Sequence, residues 1–381
     1  MTDRPADTAS DRSLRVLFVV QGEGRGHQTQ ALALAPMLAR AGHRVVGAVI
    51  GRGRHRDVPD FFRDGLGVPM EAIASPGFVS GKDGRIRPAA TVAKIVGQLR
   101  EFGPSLDAIS AAIERHEPDV IVNFYEGLMG LHALLRTSDV PVVACCHQFI
   151  ATLPGYPHIG SQPVQRLAME AYTRLVGTGA AGRLALSYYD VETDRVTVTP
   201  PLLRDDLFAR DGRETDGSIL VYLMEPALAP KLAAWSDRNP GVRIYAYSKM
   251  EARAHSASLT FHGLAGDEFL DRMAVARGVV CTAGFETISE AVWLGKPALM
   301  TPTPGHYEQR SNAVDALRVG AGVVSESLDL DPLMDYLDTH DADPTDFRAW
   351  VARAEGIAVS AVERAAGRPA RERASAAAVS A

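Results

Sequence analysis

What most limits the fold of this chain is an immediate succession of strand, glycine-rich turn and apolar-periodic helix near its start. Residues 14–20 (LRVLFVV) form a short β-branched run ending at Gln21, and the turn GEGRGH covers 22–27. From 29 to 40, TQALALAPMLAR carries helical apolar spacing. Gly42 stops that helix, and 43–50 (HRVVGAVI) reads as the next strand. Strands apolar on both faces and joined through a helix belong to a buried parallel sheet, so the chain opens with a βαβ unit.

The same alternation continues. Strands are expected at 119–124 (DVIVNF) and 140–146 (VPVVACC), joined by the helix-like GLMGLHALLR, with a loop at GKDGR and a helix across TVAKIVGQLREF. A boundary falls near Thr199, where TPPLLRDDLF runs into the polar ARDGRETDGS. Then 219–223 (ILVYL) opens a second set, with strands near 242–247, 259–261, 278–281 and 297–300. The reading is α/β: two tandem Rossmann-like, doubly wound parallel-sheet domains with a cleft between them. They cover 13–200 and 217–345 and are linked by a hinge at 200–216. A C-terminal helix and tail follow over 346–381, fraying into RPARERASAAAVSA. A chain of 381 residues has room for two such cores.

Composition excludes more than it assigns. A net charge of −6 leaves no basic excess to neutralise phosphates, so no nucleic acid is expected as a partner. No basic start leads into a signal-type apolar run, and nothing approaches the ~20 apolar residues of a membrane span, so a cytoplasmic protein is expected. Cys145, Cys146 and Cys281 have neither metal-site nor disulfide spacing and read as buried thiols. His43, His55, His116, His132 and His255 read as loop or surface positions, and Asp329–Leu330–Asp331 as an exposed loop.

The chemistry concentrates in 281–322. Gly284 lies just past a strand, and 287–294 has helical spacing; free N–H groups at such a helix start, together with its dipole, suit a diphosphate. Glu290, on the first turns, can accept hydrogen bonds from both hydroxyls of a ribose. Glu308 and Gln309 open the next helix and can grip sugar hydroxyls. In the first half, polar groups gather where strands end, which is where ligands bind in open α/β sheets. They are Gly24, Gly26 and His27, then Tyr125 and Glu126, then His147 and Gln148.

GFETISEAVWLGKP followed by TPGHYEQRSNA resembles the donor-binding signature of GT-B glycosyltransferases. It is similar to family 28, which includes the peptidoglycan lipid-intermediate N-acetylglucosaminyltransferase, and to family 1. VVQGEGRGHQTQALALAPML resembles the first glycine-rich loop of the same enzymes. The resemblance puts Gly284 and Thr287 at the diphosphate, Glu290 on the ribose, and Glu308 and Gln309 on the donor sugar. FHGLAGDEFLDRM (261–273) resembles the loop that reads the nucleobase, which makes His262 and Leu264 candidates there. The implied reaction moves a hexose-type sugar from a nucleotide diphosphate, UDP favoured, to a hydroxyl acceptor: a lipid, a glycan or a small natural product. Inversion is expected, with no metal and no cofactor.

His27 is the first candidate for the base that deprotonates the acceptor and Glu126 the second; Gly24, Gly26 and His147 would line the acceptor cleft. One departure stands out: the first strand of the second half ends in YLMEPALAP, without the glycine loop common in relatives, and places Glu225 there. The mix of Arg85, Arg87, Lys94 and Arg100 with Ile86, Val92, Ile95, Val96 and Leu99 could make a peripheral contact with the inner face of an anionic membrane, or only a solvated helix face. Alternatives are a UDP-sugar 2-epimerase, which would release nucleotide without an acceptor, and a non-catalytic nucleotide-sugar-binding protein. A dehydrogenase fails on spacing, since GEGRGH is not G-x-G-x-x-G and the second strand ends in Gly51–Arg52 rather than an acid.

Overall fold

A computed structural model describes residues 13–52, 58–77, 79, 87–158, 162–223, 226–264, 266–340 and 343–367. The first seven strands are β1 (Arg15–Gln21), β2 (Arg44–Arg52), β3 (Met70–Ala74), β4 (Val120–Phe124), β5 (Val142–Cys146), β6 (Gly182–Leu186) and β7 (Thr197–Thr199). They form one parallel sheet in the order β3-β2-β1-β4-β5-β6-β7. The second sheet comprises β8 (Ile219–Leu223), β9 (Ile244–Ser248), β10 (Arg253–Ala254), β11 (Leu259–Gly263), β12 (Gly278–Cys281), β13 (Ala298–Met300) and β14 (Gly322–Val324). Its order is β10-β11-β9-β8-β12-β13-β14, parallel apart from β10. In both sheets the winding reverses beside the first strand, between β1 and β4 and between β8 and β12, which is where a doubly wound sheet opens a crevice.

Six residues of β1, Leu17 among them, and all of β4 are buried, as a sheet covered on both faces requires. The first helix spans Gly26–Arg40, three residues earlier than its apolar spacing indicates, so Gly26 and His27 already belong to it. The helix expected across TVAKIVGQLREF runs much further, Pro88–His116, straight through Pro104. Proline removes one N–H from the ladder; Phe102, Leu106, Ile109 and Ala112 continue the apolar stripe into the core on either side of it, and packing outweighs that loss. The GKDGR loop, Arg85, Ile86, His55, Glu225 and the RPARERASAAAVSA tail lie outside the described residues, as do the side chains of Val92 and Leu99.

The connector at 200–216 is packed rather than loose, because Leu202, Leu203 and Leu207 are buried. The helix Ala354–Ala365 crosses back onto β4–β7 of the first sheet. There His43, expected at the surface, is buried: its Nδ1 accepts from the Leu14 N–H (3.3 Å), so its Nε2–H donates to Glu363 (3.1 Å). His132 is buried as well, against Ser110. Asp331 accepts from the indole N–H of Trp235 at 2.8 Å, so it helps seat a core tryptophan. All three cysteines are free and buried. Among the described residues no helix is long and apolar enough to cross a membrane.

Candidate active site

Both crevices open into one cleft of about 560 Å³ between the sheets, within the size range of ligand sites. Its second-domain wall starts where β12 ends. Ala283 takes the left-handed backbone (φ +61) that turns the chain, held by Asn312, whose Nδ2 donates to the Ala283 carbonyl (3.2 Å). Gly284, the N-cap of helix Phe285–Trp293, has an ordinary φ of −70, and a Cβ there would meet nothing. Its value is therefore open space rather than backbone freedom. No side chain caps this helix, so the N–H groups of its first turn face the cleft beside Thr287.

Glu290 lies inward on the same helix. Its carboxyl is buried, which raises its pKa to about 7; nearby Arg204 pulls it down and Glu286 pushes it up. Tyr222, Tyr247, Lys249, Leu264 and Phe269 line the adjoining end. Leu264 is in the wall, but the His262 side chain is behind it: its ring stacks on Tyr247 (4.9 Å) and its Nδ1 lies 3.2 Å from Glu268. Glu308 and Gln309 reach the cleft from helix Tyr307–Ala316. Glu308 accepts from the Gln148 amide of the other domain (2.9 Å), and Gln309 Oε1 accepts from the Thr303 N–H (2.8 Å).

The first-domain wall is the turn after β1. Gly24 is left-handed (φ +84), and Gln28 Nε2 donates back to the carbonyls of Gly22 (3.3 Å) and Gly24 (3.0 Å). His27 faces the cleft, its ring 5.2 Å from that of Tyr125, with Nδ1 3.2 Å from Gln30 Oε1. Gln30 in turn donates through Nε2 to Glu286 of the second domain.

Two expected cleft residues stand elsewhere. Glu126 is fully buried at the N-cap of helix Gly127–Leu135. Ser75 Oγ (2.8 Å) and the Leu128 N–H (3.0 Å) donate to its carboxylate, and burial lifts its pKa to about 7. It ties loops together outside the cleft wall, so it is not placed to meet an acceptor. His147 is also buried: Nδ1–H donates to the Leu186 carbonyl (2.8 Å) and the ring stacks on Phe285 at 4.0 Å. It props the helix Phe285–Trp293 from behind. Gln30, Glu286 and Arg204 also line the cleft and are not among the residues expected there from sequence. The His27–Gln30 spacing of one helical turn was a usable signal; Arg204, in the connector, gave none.

Two doubly wound domains facing each other across a nucleotide-sized cleft, with a bare helix start on one side, define a GT-B glycosyltransferase. A family model described as "Glycosyl transferase family 1" matches residues 14–339, and the chain belongs to that family. A relative from Mycobacterium leprae (strain TN), named UDP-N-acetylglucosamine--N-acetylmuramyl-(pentapeptide) pyrophosphoryl-undecaprenol N-acetylglucosamine transferase, is 41% identical over 353 residues, covering 86% of this chain and 81% of its own. Among solved structures, Acinetobacter baumannii MurG superposes with TM-score 0.53 at 17% identity, covering 93% of this chain and 100% of its own. The glycosyltransferase SnogD from Streptomyces nogalater does so with TM-score 0.52 at 19% identity, covering 93% and 99%.

Proposed function

We propose that the enzyme transfers a hexose-type sugar from a UDP-sugar to a hydroxyl acceptor, with inversion and without a metal. The observation that carries this reading is the single cleft that sets the uncapped helix start, Glu290 and the Glu308–Gln309 pair opposite His27. The diphosphate meets the N–H groups at Gly284–Thr287, Glu290 accepts from the ribose hydroxyls, and Glu308 and Gln309 hold the sugar. His27 Nε2 takes the proton of the acceptor hydroxyl. The acceptor oxygen then bonds to the anomeric carbon as the bond from that carbon to the phosphate oxygen breaks, and the electron pair leaves with UDP. The helix dipole offsets the charge developing on the leaving group, the task a divalent cation performs elsewhere. The name of the Mycobacterium leprae relative favours UDP-N-acetylglucosamine among donors and supports a lipid-linked acceptor.

Calorimetric titration of EDTA-treated protein with UDP, GDP and dTDP, then with their sugars, tests the donor half. Micromolar binding of UDP alone is expected; no binding of any nucleotide overturns the reading in favour of a scaffold. Release of UDP from UDP-N-acetylglucosamine without acceptor, with a change at C2, would replace transfer by epimerisation.

A further inference from the structure

His27 can serve as a base only if its lone pair faces the cleft, and a neutral imidazole holds one proton and one lone pair. The chain of contacts behind it decides which nitrogen holds which. Glu286, in the first turn of helix Phe285–Trp293, is a carboxylate and can only accept. It therefore takes the NH₂ side of the Gln30 amide, which donates to it. The amide oxygen is then turned to His27, where it lies 3.2 Å from Nδ1. An oxygen acceptor there requires Nδ1 to carry the proton, which leaves Nε2 with the lone pair.

The chain of contacts crosses between the domains, since His27 and Gln30 share the Gly26–Arg40 helix while Glu286 belongs to the donor helix. Gly26 explains how it can close. A Cβ on Gly26 would collide with the Glu286 carboxylate although the residue is in an ordinary helical stretch, so the missing side chain serves the approach of Glu286.

We propose that Gln30 and Glu286 are positioning residues that fix His27 in its base-competent tautomer, and do so only while the two domains are apposed as here. The proposal rests on the reading of His27 as the base. It gives the chain a device for withholding an active base until the donor domain is in place, because an amide released by Glu286 can rotate and offer its NH₂ to His27 instead.

The test uses the full-length enzyme with ¹⁵N-histidine NMR and steady-state kinetics. Wild type should show His27 protonated at Nδ1. Glu286→Leu and Gln30→Leu should each lose that signature and at least tenfold in kcat, and Gln30→Leu, which leaves the second-domain wall intact, should keep donor KM within about twofold. Gln30→Glu should be impaired, since it sets two carboxylates together. The double variant Q30E/E286Q keeps the net charge, returns an amide donor opposite a carboxylate acceptor, and should recover both the Nδ1–H signature and turnover.

If both leucine variants keep the signature and full kcat while His27→Ala is inactive, the relay falls and the base assignment stands. If His27→Ala turns over normally, the base assignment itself falls. A double variant no better than Gln30→Glu would also overturn the relay.

Discussion

The two turns that launch the helices of the cleft share an outline and differ in what fills them. One follows β1 and the other β12, each holds one left-handed residue, and each leads straight into a helix at the cleft. The second turn is Thr282–Ala283–Gly284, small and uncapped, and presents bare N–H groups. The first carries Glu23 and Arg25, and its carbonyls at Gly22 and Gly24 are taken up by Gln28. A bare helix start suits any ligand with a phosphate, and its chemistry is therefore general. The helix after the first turn also lacks a side-chain cap, but there the wall adds Glu23, Arg25 and His27 to the cleft, so what it does depends on particular neighbours.

The sharpest way to break this contrast is His27→Ala. Loss of a general base removes about 10²–10⁴ in turnover, and the donor wall should not notice: UDP-sugar affinity is expected to stay within about twofold by calorimetry. A comparable loss of donor affinity would mean that the two walls are not separable. Glu290→Ala is the reciprocal experiment. Two hydrogen bonds to a charged acceptor are worth roughly 1.5–3 kcal/mol each, so donor affinity should fall by at least about 100-fold, with the thermal midpoint near that of wild type. Unchanged affinity would remove Glu290 from the ribose.

A pH titration sharpens the same point. Without ligand, burial raises the Glu290 pKa to about 7, with Arg204, Glu286 and Asp206 as its charged neighbours. Hydroxyl donors favour the ionised carboxylate, so UDP-sugar binding lowers that pKa and releases a proton at and below pH 7. Affinity should weaken about tenfold from pH 8 to pH 6, and the dependence should vanish in Glu290→Gln. A UDP-sugar rather than UDP keeps the terminal phosphate from titrating in this range. An increase in affinity towards low pH would reverse the assignment.

Legibility in the sequence followed the same division. The strands β1, β4, β5, β8 and β12 read off as apolar runs, whereas β7, β10 and β14, two or three residues long, leave no run to find. That Gly284, Glu290, Glu308 and Gln309 line one wall was legible because they are local to two strand–helix turns. His27, Glu126 and His147 all follow strand ends, so that pattern alone does not separate the first-ranked base candidate His27 from the other two. What separates them is long-range: Ser75, 51 positions away, takes up Glu126, and Phe285 covers His147. His43 misled in the same way, because Glu363 reaches it from the far end of the chain. Partners that distant leave no spacing to read.

The smallest expected effect compares the two turns through their left-handed residues. Gly24 (φ +84) has nothing within 4 Å of where a Cβ would stand, so Gly24→Ala adds backbone strain alone and should cost roughly 1 kcal/mol in a denaturant titration. Ala283 (φ +61) already bears such strain, and its methyl group is buried. Ala283→Gly relieves the strain and gives up the burial of one methyl, worth about 0.8 kcal/mol, so the two should nearly cancel. Equal destabilisation by both substitutions would show that the second turn is held by packing of Ala283 and not by its hydrogen bond from Asn312. A loss confined to Gly24→Ala would mean that the first turn depends on its backbone geometry, while the second tolerates either residue and keeps its open N–H groups.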